Sequence, residues 1–184
     1  MLWIILIIVV LLILFIISVY NSLVTLRQRV KNAFGQMDVQ LQRRFDLIPN
    51  LVETVKGYMT HESDTLAKVT ELRTAWAGAK TVDEKAKLDN ELSNTLKTIM
   101  AVAEAYPDLK ANQNFASLQN ELTETEDKIS YSRQFYNDTV TRYNTKLELF
   151  PSNIIAGMFH FTAESLFEVD SAEARKNVKV DFNK

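Results

Sequence analysis

The sequence of 184 residues contains no cysteine and only four glycines, three prolines and two histidines. The absence of cysteine excludes a disulfide framework, a thiolate-ligated zinc site and an anchor built on an acylated cysteine. It does not locate the protein, because both the cytoplasm and the outside of a cell accept cysteine-free chains. Four scattered glycines cannot form a glycine-rich phosphate-binding loop. The 47% share of apolar residues indicates a folded chain rather than a disordered one.

Charged residues are missing from positions 1–19, and all 21 basic and 23 acidic residues come later. The net charge of -2 and the pI near 5.8 give no general attraction to phosphate backbones. We therefore expect no binding to nucleic acid.

The uncharged N-terminal part is a continuous apolar run, Leu2 to Val19, with one polar member. As a helix it would cover about 27 Å, enough to cross the hydrocarbon core of a bilayer. Trp3 and Tyr20 lie near its two ends, where aromatic rings prefer the headgroup region. A cleaved signal peptide, the alternative, would need a basic region before the run and small residues at the cleavage site. Neither is present, so residues 1–20 are predicted to be a retained transmembrane anchor.

The basic residues that follow the run predict its orientation. Arg27, Arg29 and Lys31 precede the first acidic residue, Asp38. Basic residues close to a membrane span favour the cytoplasmic side. This predicts a single-pass protein of the cell membrane, with the N-terminus outside and the C-terminal domain in the cytoplasm. The alternative is that these three side chains are only the solvated side of a helix.

Helical periodicity dominates residues 21–150, where apolar residues recur at steps of three and four. The first helix should continue directly out of the membrane run. Its apolar stripe is Leu23, Leu26, Val30, Phe34, Met37 and Leu41. Pro49 lacks a backbone donor and restricts Ile48, so it should end or kink this helix. A second helix is then predicted from about residue 50 to residue 77.

Two more helices are predicted beyond Gly78, which should close the second. Thr81 and Glu84 have the spacing of a capping box, which marks the start of the third helix. Its stripe is Leu88, Leu92, Leu96, Ile99 and Ala103, and it should stop before Pro107. The last helix, residues 114–148, would be about 50 Å long. Its a and d heptad positions hold Phe115, Leu118, Leu122, Ile129, Tyr136, Val140, Tyr143 and Leu147, with Thr125 and Arg133 or neighbours in the remaining seats.

These elements predict an all-α fold, in which an N-terminal transmembrane helix is followed by an elongated antiparallel bundle of long helices over residues 21–150. Residues 151–184 form a third region, a C-terminal apolar segment and tail. Alternation of Val178, Val180 and Phe182 with polar residues predicts a short terminal strand or an extended tail.

The segment from residue 150 to residue 161 carries no charge and is rich in large apolar side chains. If it forms a helix, one face holds Ile154, Ile155, Met158 and Phe159. This face either folds back to cap the bundle or contacts the membrane surface or a neighbouring subunit. The lack of Lys and Arg favours a subunit over an anionic bilayer.

No residue pattern predicts catalysis, a cofactor or a metal. His61-Glu62 begins like a zinc-protease helix, but Thr65 stands where the second imidazole is needed. His61 is therefore expected to be solvated, and His160 to pack among Phe159 and Phe161. We accordingly expect no enzyme activity.

Two charged clusters have simple structural interpretations. Acidic residues of the last helix form one cluster: Glu121, Glu124, Glu126 and Asp127. They could hold a cation but are expected to form a solvated helix face. Arg43 and Arg44 could bind an anion or a lipid headgroup, but ion pairing within or between helices is the preferred interpretation.

Several segments resemble one known family. They are YNSLV at residues 20–24, DVQLQRRFDLIPNLVETVKGY at 38–58, AYPDLKAN at 105–112, LQNELTETE at 118–126, YN at 136–137, FPSN at 150–153 and VKVDF at 178–182. Together they strongly resemble the LemA family over nearly the whole chain. The resemblance implies a single-pass membrane protein with its small end outside, its helical bundle inside and no known catalytic residue. Some members carry a lipobox cysteine, which this chain lacks.

The resemblance also bears on function. Relatives include proteins needed for magnetosome membrane formation, and family genes often neighbour membrane-protease genes. This favours a self-associating membrane scaffold that organises or remodels the bilayer. The alternative is an adaptor or regulator of a membrane protease or another membrane protein complex. The expected partners are thus the lipid bilayer and further copies of the chain. In the alternative, the partner is a membrane protease or another membrane protein.

Overall fold

The computed structural model describes residues 1–59 and 61–168, and all regular secondary structure in them is helical. The seven helices are α1 (Leu2–Asp46), α2 (Ile48–Lys56), α3 (Ser63–Gly78), α4 (Val82–Ala103), α5 (Pro107–Lys110), α6 (Gln113–Glu148) and α7 (Ser152–Met158). The predicted all-α class with a long apolar N-terminal helix is confirmed. The predicted strand at residues 178–182 lies outside the described residues.

Helix α1 is unbroken over 45 residues and about 68 Å long. It contains no proline and one glycine, so no residue inside it strongly opposes helix formation. Its first part is exposed on all sides, and burial on one face begins at Val19. The buried residues of that face are Val19, Leu23, Val30, Ala33, Met37, Leu41, Arg44 and Phe45. The prediction that the apolar run continues into the bundle as one helix is confirmed.

The predicted break at Pro49 is confirmed. α1 ends at Asp46, and Pro49 lies in the first turn of α2, where a missing N–H group breaks no helical hydrogen bond. Leu47 and Ile48 are buried, so the bend itself lies in the core.

The single helix predicted over residues 50–77 is wrong, because the chain leaves the helix after Lys56 and re-enters it at Ser63. Gly57 has a low helix propensity, and every residue from 60 to 65 is polar, so no apolar stripe supports a helix there. Met59 instead folds into the core, with 2% of its surface exposed. The turn allows α3 to pack against both α2 and α4.

Side-chain caps define the starts of α4 and α6. The Thr81 hydroxyl accepts a hydrogen bond from the Glu84 N–H group at 3.2 Å, and the Glu84 carboxylate accepts one from Thr81 N–H at 3.0 Å. The backbone N–H groups of Lys80 and Thr81 hold the pKa of Glu84 below its usual value. The predicted capping box is confirmed. At α6, the Asn112 side chain accepts from two backbone N–H groups.

Helices α1 and α6 run antiparallel along each other and form the main axis of the bundle. Leu147, near the end of α6, packs against the cluster of Val19 and Leu23. Further along, the rings of Phe34 and Tyr136 are 5.7 Å apart. The predicted heptad face of α6 is buried at Phe115, Leu118, Leu122, Thr125, Ile129, Tyr136, Val140 and Tyr143.

We predict that Leu122→Ala lowers the free energy of unfolding by about 2–5 kcal/mol, because Leu122 is buried and its truncation leaves a cavity. Glu124→Ala should have a much smaller effect, since Glu124 is exposed and pairs only with Lys128 one turn away. Thermal unfolding of the full-length protein in detergent micelles compares the two variants. Equal losses would show that the buried face of α6 is wrongly assigned.

Candidate membrane interface and interhelical contacts

The N-terminal part of α1 exposes an unusual amount of apolar surface. An 18-residue window in this helix has a mean hydropathy of 3.6, and only 6% of it is buried. Large apolar patches on proteins are normally covered by a partner or a membrane. By length and composition, this helix could span a membrane.

The residues predicted to flank the membrane lie at the expected ends of this segment. Trp3 is exposed at one end. At the other end, the Tyr20 ring lies 4.7 Å from the ring of Phe159 and 5.7 Å from that of Phe161. The Arg27 guanidinium lies 5.0 Å from the centroid of the Phe161 ring. Tyr20 and Arg27 therefore also bind the C-terminal segment to α1.

The remaining predicted flanking residues, Arg29 and Lys31, are exposed on either side of the buried Val30. Their side chains are thus free of the core and able to meet lipid headgroups or water.

Helix α7 folds back against both α1 and α6. Ile155 and Ala156 are 4% exposed and share a cluster with Val19 and Leu23. The other members of the predicted apolar face, Ile154, Met158 and Phe159, are 55%, 61% and 47% exposed. The predicted face is therefore divided. Ile155 makes a contact within the chain, and the other three residues remain on the surface.

A buried charge cluster joins three helices. Arg44 of α1 is 4% exposed, and its Nη1 donates a hydrogen bond to Oδ1 of Asp89 in α4 at 2.9 Å. The same Nη1 lies 2.7 Å from Oε2 of Glu126 in α6. Burial raises the pKa of the Asp89 carboxyl, and the Arg44 guanidinium opposes this rise. Ion pairing of Arg44 between helices, the preferred interpretation, is confirmed.

The extended segment after α7 runs back along α6, and sequence reasoning missed this contact. The Asn144 side chain accepts from the Glu164 N–H group at 3.0 Å and donates to the Glu164 carbonyl at 2.9 Å. Asn137 makes the same pair of bonds to Phe167, at 2.9 and 3.1 Å. We call residues 162–168 the strap. Its Phe167 side chain is 1% exposed in the core.

Two tyrosines of α6 also hold the strap. Tyr143 donates its hydroxyl proton to the Thr162 carbonyl at 3.0 Å, and Tyr136 donates to the Ser165 carbonyl at 2.8 Å. Burial raises the pKa of Tyr136 to about 12, so its hydroxyl stays protonated and able to donate. The sequence signal for the strap is the Tyr-Asn pair at residues 136–137, repeated seven residues later at 143–144.

A second apolar surface lies on the outer side of the α1–α6 pair. Val39 and Tyr131 are 63% and 75% exposed and line a groove of about 640 Å³. We call it the Val39–Tyr131 groove. Its charged lining residues are Glu124, Asp127 and Lys128. Val39 and Tyr131 are thus apolar side chains bordered by a rim of charged groups.

The two histidines are both exposed and far apart in the sequence. His61 is exposed, as expected. The expectation that His160 packs among Phe159 and Phe161 is wrong, because the backbone turns at His160 with φ 55° and leaves the side chain exposed. Among the described residues, no group of three or more His, Asp or Glu side chains is placed to hold a metal ion.

We predict that Asp89→Ala lowers the free energy of unfolding by about 3–5 kcal/mol, because it removes the buried hydrogen-bonded partner of Arg44. The double variant Arg44→Met with Asp89→Leu should recover most of this loss, since apolar residues can replace a buried ion pair. Denaturant unfolding of the full-length protein measures both.

The matched control is Glu71→Ala, which removes one carboxylate from the exposed pair with Lys68. It should change stability far less than Asp89→Ala does, because exposed ion pairs contribute little. A loss for Asp89→Ala no larger than that of the control would contradict a structural role for the buried pair.

The sequence of the chain is similar to those of several known proteins. A model of the LemA family matches residues 33–182. Protein LemA of Metamycoplasma hominis is 24% identical over 155 residues, which cover 83% of this chain and 70% of that protein. Magnetosome proteins MamQ 1 and MamQ 2 of Paramagnetospirillum magneticum are each 25% identical over 175 residues. Those alignments cover 81% of this chain and 64% of either relative, so the chain spans just under two thirds of their length.

The family match begins inside α1 and includes every later helix of the bundle. It thus covers the buried charge cluster, the strap and α7, and the exposed apolar helix precedes it. From this match, the chain belongs to the LemA family.

Proposed function

We propose that the protein is a non-enzymatic scaffold that is anchored in the cell membrane, self-associates and organises or remodels the bilayer. The observation that carries this proposal is the continuity of α1. One helix contains both the exposed apolar segment and the buried stripe of the bundle. No flexible linker separates the anchor from the bundle, so a force on one is transmitted to the other.

The shape of the bundle supports the same function. Residues 20–46 of α1 extend about 40 Å beyond the apolar run, and α6 packs along them for most of that length. The result is a rod that stands out from the membrane. A rod of this kind holds a partner at a set distance from the bilayer and offers long side faces for contacts between copies.

The Val39–Tyr131 groove is the proposed contact between copies. Two large apolar side chains, Val39 and Tyr131, are exposed there. Oppositely charged groups at the rim, Asp127 and Lys128, allow complementary pairing across an interface. A second candidate function rests on the same groove. An apolar centre with a charged rim is also typical of contacts with a different protein, which suits an adaptor or regulator of a membrane protease or other membrane complex.

The proposed orientation places the bundle in the cytoplasm and the N-terminus outside. Arg29 and Lys31 are exposed just beyond the membrane segment, where basic residues favour the cytoplasmic side. We predict that a reporter active only in the cytoplasm works when fused after Lys184. Replacing Arg27, Arg29 and Lys31 together with Gln should reduce that signal. Activity of an outside-only reporter at the same position would refute the orientation.

We predict that the wild-type protein forms an assembly larger than one copy, and that Val39→Asp with Tyr131→Asp shifts it to a smaller size. Ala67→Asp, an exposed apolar-to-acid change in α3, is the control and should leave the size unchanged. Light scattering after mild detergent extraction measures the mass. A single copy at all concentrations would remove the scaffold proposal, whereas a discrete complex with another membrane protein would favour the adaptor.

A further inference from the structure

We propose that α7 forms a second contact with the membrane, seated in the interface of the leaflet from which α1 emerges. Its contact surface is the interfacial patch, defined as Leu149, Phe150, Ile154, Met158 and Phe159. The proposal rests on the membrane-spanning role of α1 and does not depend on self-association. Its occupant is lipid, and a second copy of the chain is an alternative that the experiment distinguishes.

The first argument is position along α1. Ile155 and Ala156 pack against Val19 and Leu23, and Ile16 packs against the same cluster. Ile16 and Val19 belong to the last turn of the apolar run that would occupy the hydrocarbon core. A helix fixed against these residues is held at the depth where the hydrocarbon core meets the headgroups.

The second argument is the character of the exposed surface. The residues of the interfacial patch are between 47% and 79% exposed. No Asp, Glu, Lys or Arg occurs from residue 149 to residue 163. The patch is also continuous with the exposed apolar side of α1, because Phe159 contacts Tyr20 at the end of the span. A surface of this kind is costly in water and is stabilised at an apolar boundary.

The third argument is that the patch is preformed. The Ser152 hydroxyl hydrogen-bonds to the carbonyl groups of Lys146 and Leu149, which fixes the start of α7 on the end of α6. Beyond α7, the bonds of Tyr143 and Asn144 hold the strap in place. Since the protein itself orders these residues, membrane contact requires little further loss of conformational entropy.

These contacts change the preference reached from sequence. The absence of basic residues near α7 argues against attraction to an anionic bilayer, and on sequence alone it favours a subunit contact. The packing of Ile155 against Val19 places the patch at bilayer depth, where burial of apolar side chains needs no electrostatic attraction. The expected contact is therefore independent of anionic lipid.

The test uses the full-length protein in liposomes of neutral phosphatidylcholine. The chain has no native cysteine, so single cysteines introduced as Ile154→Cys and Met158→Cys can each carry an environment-sensitive NBD fluorophore. Ala67→Cys and Ala101→Cys are controls, because they replace exposed apolar residues of the bundle that lie outside the Val39–Tyr131 groove. Ile13→Cys, within the apolar run, is the membrane-embedded reference.

Labels at positions 154 and 158 should emit at shorter wavelength than the controls. A nitroxide placed high on the lipid acyl chain should quench them at least several-fold more than it quenches the labels at positions 67 and 101, and aqueous iodide should quench them less. Including anionic lipid should leave these ratios unchanged.

Three outcomes would overturn the proposal. Iodide quenching equal to that at positions 67 and 101 would place α7 in water. Short-wavelength emission without lipid quenching would place α7 against another protein copy. Lipid quenching that needs anionic lipid would show an electrostatic contact instead of apolar insertion. Lipid quenching in a protein that light scattering shows to be a single copy would support this inference and reject the scaffold.

Discussion

The continuity of α1, from an exposed apolar segment into the bundle, is the constraint on which the rest of the structure depends. Before Val19, α1 is apolar on every side, and beyond it only one face is apolar. The backbone is the same in both parts, since an α-helix satisfies its own hydrogen bonds in lipid and in water. The direction of the buried stripe is set by the helical spacing of the apolar residues from Val19 to Leu41. That direction determines where α6 and α7 pack on α1.

The two ends of the soluble part of α1 are held by different physical means. Next to the exposed apolar segment, α7 closes an apolar cluster over Val19 and Leu23. At the far end, Arg44 meets carboxylates from α4 and α6. Burying Arg44 and Asp89 costs desolvation energy, so this buried pair is weak evidence for stability. The Arg44 ion pairs instead specify the register of α6 against α1. A slip of one residue would turn Glu126 by about 100° around α6 and out of reach of Arg44.

Sequence reasoning succeeded where a single local pattern controls the structure. The stripe through Met37 and Leu41, the position of Pro49 and the capping box at Thr81 each act within one or two turns of chain. It failed at Gly57, because the spacing of Leu51, Val55 and Met59 continues the helical period through a point where the chain turns. The strap was not predicted either, because polar side chains that bind the backbone of a distant segment produce no apolar periodicity in the sequence. The division of the α7 face between Ile155 and Ile154 depends on the packing partner and could not be predicted.

The strap works because two repeat lengths agree. Seven residues of α6 advance about 10 Å, and three residues of extended chain advance nearly the same distance. A Tyr-Asn pair recurring after seven residues therefore meets equivalent backbone groups at Glu164 and Phe167. Each Asn amide makes the two bonds that a neighbouring strand would make. Since the strap also buries Phe167 in the core, the same contacts that stabilise the bundle hold the end of α7 in place. The position of α7 along α1 is thus determined by the core of the protein itself.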